Sequence, residues 1–158
     1  MTSHNPFSHL DESGHAHMVD VSEKPETRRV AAASCRVILS ARTVEMLGEL
    51  PKGDAVAVAR IAGVQGAKRT AELIPLAHPL GLEQVEVEVT PTASGVEIRS
   101  RVIVTARTGA EMEALVACST AALALYDMVK AVERGAEITD LRLEHKSGGR
   151  SGEFRRQG

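Results

Sequence analysis

The amino-acid sequence predicts a single α+β domain. Three observations carry that expectation: two stretches alternating apolar and polar residues around a turn, one long amphipathic helix after them, and strand patterns at both ends of the chain. At 158 residues, the length fits one domain that buries enough surface to stand without staples. The division read from the sequence is a flexible N-terminal tail over residues 1–27 and one domain over 28–158.

Residues 1–27 are polar, broken by His4, Pro6, His9, His15 and His17, and have little periodicity. No apolar segment of the secretory type opens the chain, so no signal peptide is expected. Residues 29–39, Arg-Val-Ala-Ala-Ala-Ser-Cys-Arg-Val-Ile-Leu, read as a strand. Ser40 then stands as N-cap of a short helix to about Leu50, and Pro51-Lys52-Gly53 breaks it. Asp54 can cap a helix over 55–73, which Pro75 ends, and Pro79 stiffens the segment Leu76-Ala77-His78. Val85, Val87 and Val89 alternate with Glu86 and Glu88. After a turn from Pro91 to Gly95, Val96, Ile98, Ser100, Val102 and Val104 share one face of the second strand of an antiparallel hairpin. Thr108 is the expected cap of a helix from Gly109 to about Arg134, with Glu111 in its first turn and Gly135 as its stop. Ile138 to Leu143 reads as a last strand. With the early helices counted as one layer, the order is a ferredoxin-like split β-α-β, with an antiparallel sheet and helices on one face.

Composition removes several functions. Hydrophobic residues make up 43% but aromatics only 2%, so the core is aliphatic and no stacking platform for single-stranded nucleic acid is available. The net charge of −2 carries no nucleic-acid footprint. No apolar run is read as long enough to span a membrane. Cys35 and Cys118 are far apart without a C-x-x-C pattern, which fits a reducing cytosol. The histidines form no H-E-x-x-H pattern, so no metal is expected.

The long helix has two stripes. Leu115, Cys118, Ala122, Leu125, Val129 and Val132 follow the spacing of one packing face. Glu113, Ala117, Thr120, Ala124, Asp127 and Lys130 line the other. Small residues between the charges let that face admit another surface or a ligand, although a partly solvated face with an Asp–Lys pair also fits. Glu113 and Asp127 are fourteen positions apart, about 21 Å at the helical rise of about 1.5 Å per residue. They cannot act on one bond: either they touch opposite ends of a long ligand, or they serve sites completed by other chains. Asp127 and Lys130 can act together, the ammonium keeping the carboxylate ionised. Elsewhere, His78 suits proton transfer near neutrality. Lys68 and Arg69 form a basic cluster late in a helix. The tract from Lys146 to Gly152 resembles an anion-cradling loop with Arg150 adding charge, but lacks P-loop spacing. Each of these also fits a solvated or structural role.

The motifs together are recognisable. Residues 14–22 (Gly-His-Ala-His-Met-Val-Asp-Val-Ser), 59–70 (Ala-Arg-Ile-Ala-Gly-Val-Gln-Gly-Ala-Lys-Arg-Thr), 74–80, 108–115, 125–132 (Leu-Tyr-Asp-Met-Val-Lys-Ala-Val) and Lys146-Ser147-Gly148-Gly149 resemble the MoaC family, the cyclic pyranopterin monophosphate synthases of molybdenum cofactor biosynthesis. The resemblance runs from about residue 10 to the end. It implies a cytoplasmic enzyme of the lyase class that rearranges 3′,8-cyclised dihydro-GTP into a pyranopterin, closes a cyclic phosphate and releases pyrophosphate. It implies no cofactor, and a homohexamer built as a trimer of dimers with sites at dimer interfaces. By motif, it implies catalytic roles for Asp127, Lys52 and Lys130. Substrate contact is implied for Leu76, Ala77, His78, Met112 and Glu113, and a place at the site for Glu111, Lys68, Arg69, Lys146 and Arg150. Two positions depart from the family pattern: Ala77 stands where Cys is frequent, so no thiol is needed there, and Arg150 stands where Lys is frequent. The reaction expected is acid–base catalysis in which Lys52, Asp127, Lys130 and His78 carry protons and the basic residues hold the triphosphate. A non-catalytic nucleotide-binding subunit and a phosphate-ester hydrolase with a divalent ion are the other readings.

Overall fold

The computed structural model describes residues 9–157; the first eight residues of the expected tail and Gly158 lie outside them. Five strands form one antiparallel sheet: β1 Thr27–Ile38, β2 Gln84–Thr92, β3 Gly95–Ala106, β4 Glu137–Ser147 and β5 Phe154–Arg155, in the order β2-β3-β1-β4-β5. The first four reproduce the split β-α-β arrangement. Helix α2 (Ala55–Lys68) packs on β2, and α4 (Glu111–Val129) packs on β1, β3, β4 and α2.

Strand alternation places the core. Ala31, Ala33, Cys35 and Val37 of β1, Val87 and Val89 of β2, and Val96, Ile98, Ser100, Val102 and Val104 of β3 all face the helices and are buried. With few aromatics to fill volume, Ala and Val bring the helices close to the sheet. The two cysteines are free and buried, and the Cys35 thiol donates to the Cys118 carbonyl at 3.5 Å.

Several boundaries differ from expectation, each for a local reason. Helix α1 spans only Ala41–Glu45; Ser40 caps it by accepting from the Thr43 N–H. Asp54 caps α2 through the Val56 and Ala57 N–H groups. The helix expected over 55–73 breaks at Arg69, where the Thr70 hydroxyl donates back to the Ala67 carbonyl at 2.9 Å, and α3 (Thr70–Leu73) follows. Thr108 does not cap α4: Ala110 holds that position, with no side-chain bond. The helix also stops at Val129 rather than near Arg134. The Val132 and Glu133 N–H groups both turn to the Val129 carbonyl, and the Tyr126 hydroxyl donates to the Arg134 carbonyl. Val132 therefore leaves the packing stripe and is exposed. Strand β4 is longer than expected, with bulges opposite β1, and β5 was not foreseen.

α4 also corrects the expectation about apolar runs. Its 19 residues have the length and hydropathy of a membrane span. Here that apolar length serves burial on two sides of the helix, against the sheet and against α2 beside it. Ala117 is fully buried although it belongs to the face opposite the core stripe. The partner on that face is α2: a Cβ at Gly66 would lie 2.4 Å from Thr120 Oγ1, and one at Gly63 would lie 3.0 Å from the Ala117 carbonyl oxygen. The small residues of α4 thus admit the glycines of α2, and a helix takes up the middle of the charged stripe.

Candidate active site

The packing of α2 onto α4 leaves functional groups at the two ends of α4. At the C-terminal end, the turn Pro51-Lys52-Gly53 delivers Lys52 to Asp127. Its ammonium donates to Asp127 Oδ2 at 2.8 Å and to the Asp127 carbonyl at 3.2 Å. Lys130, one turn on, holds Asp127 Oδ1 at 2.7 Å. Each oxygen of one carboxylate therefore carries its own ammonium. The hydrogen bond from Lys130, then that from Lys52, pulls the Asp127 carboxyl down to about 2. All three side chains remain about half-exposed, so a ligand can reach them.

At the N-terminal end of α4, Leu76, Ala77, His78, Met112 and Glu113 line one cavity of about 280 Å³, together with Val19, Lys24, Thr108 and Gly109. That volume lies near the lower bound of roughly 300 Å³ for small-molecule sites. His78 Nε2 lies 2.7 Å from the Val19 carbonyl. A carbonyl only accepts, so Nε2 is the donor there. Glu113 is 4% exposed, and burial, with a lesser contribution from the Glu111 charge, pushes its carboxyl up to about 7. Glu111 meets Lys146 of β4 at 3.2 Å, and Lys146 also bonds the Ser151 hydroxyl.

The site residues expected from sequence therefore fall into groups. Lys52, Asp127 and Lys130 meet. Leu76, Ala77, His78, Met112 and Glu113 meet, with Glu111 and Lys146 beside them. Lys68 and Arg69, at the end of α2, and Arg150, in the turn after β4, are exposed and join neither group through an ion pair among the described residues. Residues 9–26 form no helix or strand, yet Val19, Val21 and Lys24 cover the His78 cavity. Sequence reasoning did not place them there; the only signal was that Val19 and Val21 lie within the motif over residues 14–22, and Lys24 had none. Among the described residues, no three His, Cys, Asp or Glu side chains gather as metal ligands.

Comparison with known proteins adds a separate line. The MoaC family model matches residues 18–149. A protein of Streptomyces griseus named cyclic pyranopterin monophosphate synthase is 57% identical over 158 residues, covering 99% of this chain and 89% of its own. Proteins of the same name from Cereibacter sphaeroides and Thermomicrobium roseum are 56% identical over 152 residues and 55% over 155. They cover 94% and 96% of this chain, and 96% and 93% of their own lengths.

Proposed function

The chain belongs to the MoaC family, and from that premise we propose that it is the enzyme its relatives are named for, a cyclic pyranopterin monophosphate synthase of molybdenum cofactor biosynthesis. It takes cyclised dihydro-GTP, rearranges the purine to a pyranopterin, closes the cyclic phosphate and releases pyrophosphate. The reaction is a lyase reaction carried by proton transfer.

The observation that carries this reading is the pair of ammonium groups held on one carboxylate, Lys52 and Lys130 on Asp127. Opening and reclosing a purine ring needs protons delivered and removed at several atoms. Two lysines fixed side by side can serve as donor and acceptor in turn. Asp127, with its carboxyl at about 2, is too weak a base to take a proton at neutral pH. Its role is to orient the two amines and to stabilise whichever is charged. His78, with Nε2 committed to Val19, offers Nδ1 to the substrate. Glu113, near half-protonated at neutral pH, can donate or accept. Lys68, Arg69, Lys146 and Arg150 hold the triphosphate and stabilise the departing pyrophosphate.

The two stations sit at opposite ends of α4, about 21 Å apart by helical rise. In this reading one complete site draws on two copies, the Lys52–Asp127–Lys130 end of one protomer closing on the His78–Glu113 end of its partner. The assembly is a hexamer, a trimer of dimers, working in the cytoplasm on a nucleotide-derived substrate. Asp127→Asn tests the reading: the volume stays and the charge that holds both amines goes. Pyrophosphate release from cyclised dihydro-GTP is expected to fall by about 100-fold or more, in the range general acid–base groups contribute. It should be insensitive to a chelator. A variant that turns over at the parent rate would overturn the assignment.

A further inference from the structure

Arg29 lies at the start of β1, opposite Val104 of β3. Its guanidinium is spent on backbone. Nε donates to the Ala106 carbonyl and Nη2 to the Arg107 carbonyl, each at 3.0 Å. These carbonyls belong to the exit of β3, which runs through Thr108 and Gly109 into Glu111 at the start of α4. On its other side the same guanidinium backs the turn after β4. Gly148 and Gly149 have φ of +93° and +77°. A Cβ on Gly149 would lie 2.1 Å from Arg29 Nη1, and one on Gly148 would lie 2.3 Å from the Arg28 carbonyl oxygen. No side chain fits between this turn and β1.

One guanidinium thus touches both segments that flank the Lys146–Glu111 contact: 106–110 on the α4 side and 148–149 on the β4 side. We propose that Arg29 is a positioning residue of this station, fixing the reach of Lys146 relative to Glu111 and the His78–Glu113 cavity. The inference rests on the function proposed above, in which Lys146 holds the phosphates. The planar fork of arginine can satisfy two successive carbonyls in one plane while presenting a flat face to the glycine turn. A lysine ammonium keeps the charge but loses this geometry.

Arg29→Lys and Gly149→Ala test it from opposite sides. The first removes the fork. The second leaves Arg29 in place and pushes a methyl into it. Both are expected to raise KM for cyclised dihydro-GTP and the dissociation constant of pyrophosphate, measured alone by calorimetry, by about tenfold, the effect of one mis-set charge-assisted hydrogen bond. KM should rise by more than kcat falls, because the Lys52–Asp127–Lys130 group is untouched, and a merely structural residue would not divide KM from kcat in this way. Variants of either kind that bind pyrophosphate as tightly as the parent overturn the proposal and leave the proposed reaction standing. A parent that binds pyrophosphate but turns nothing over overturns the reaction, and the pyrophosphate titrations then decide the role of Arg29. A parent that binds no pyrophosphate overturns Arg29 as a positioning residue. If Arg29→Lys fails to fold, Arg29→Gln, which shortens the planar group and removes the charge, is measured in its place, because Gly149→Ala also strains the turn at φ +77°.

Discussion

Replacing Glu113 with Gln should make the protein more stable, and by an amount that grows with pH. Burial holds the Glu113 carboxyl at about 7, against an ordinary value of 4.5. The fold therefore keeps a proton that the unfolded chain releases, and stability falls as pH rises from about 4.5 through about 7, then levels. At about 1.36 kcal/mol per pH unit, ionising this carboxyl inside the fold costs about 3 kcal/mol. Between pH 5 and pH 8 the wild type should lose about 2.5 kcal/mol that the Gln variant keeps, or about 5–10 °C in Tm for a chain of this size. Glu111, on the same helix, is the one charge that pushes the carboxyl further up, and it is itself paired with Lys146; Lys24, His9 and His78 line the same cavity. Urea unfolding of both proteins at pH 5, 6, 7 and 8, at one fixed protomer concentration, reads the effect directly. A stability difference constant across that range to within about 0.5 kcal/mol, well under the shift expected from linkage, would show that Glu113 does not titrate there and that the reasoning from its burial is wrong.

Two further outcomes follow from the helix pair and the lysine cluster. Gly66→Ala places a methyl 2.4 Å from Thr120 Oγ1. The overpacking should cost about 1–3 kcal/mol, exceeding the roughly 1 kcal/mol of helix propensity gained, so the urea midpoint should fall; a rise would mean that α2 and α4 do not approach this closely. For Asp127, the depressed pKa means that the carboxylate and its ion pairs persist from neutral pH down through its ordinary value of 3.8 and are lost only toward about 2. A carbon-13 titration should show no Asp127 transition between pH 5 and pH 8. Lys130→Met and Lys52→Met should each raise its midpoint, because each removes one of the two ammonium groups on the carboxylate, and a midpoint unmoved by both would contradict the geometry.

Much of the fold was legible because it rests on period and local chemistry. The alternation along β2 and β3 named Val87, Val89 and the buried face of β3, and the side chains of Ser40 and Asp54 announced the helix starts. The family-like motifs pointed to Asp127, Lys130 and His78 without any structure. Spacing also showed that α4 has a second stripe, and helical rise alone divided Glu113 from Asp127. What a stripe meets is a different matter. Period describes one element, whereas a contact joins two, and the pairs that define the site are far apart in the chain. Lys52 reaches Asp127 across 75 positions, and His78 reaches Val19 across 59. Only packing could show that Gly63 and Gly66 fill the small middle of the α4 stripe and leave its ends open. Only packing could show that burial makes Glu113 a weak acid while two ammonium groups make Asp127 a strong one. The sequence by itself determined which residues share a face. The tertiary structure decided which charges are dry, which are paired and which segments Arg29 holds together, because desolvation and hydrogen bonding depend on neighbours that only the folded chain supplies.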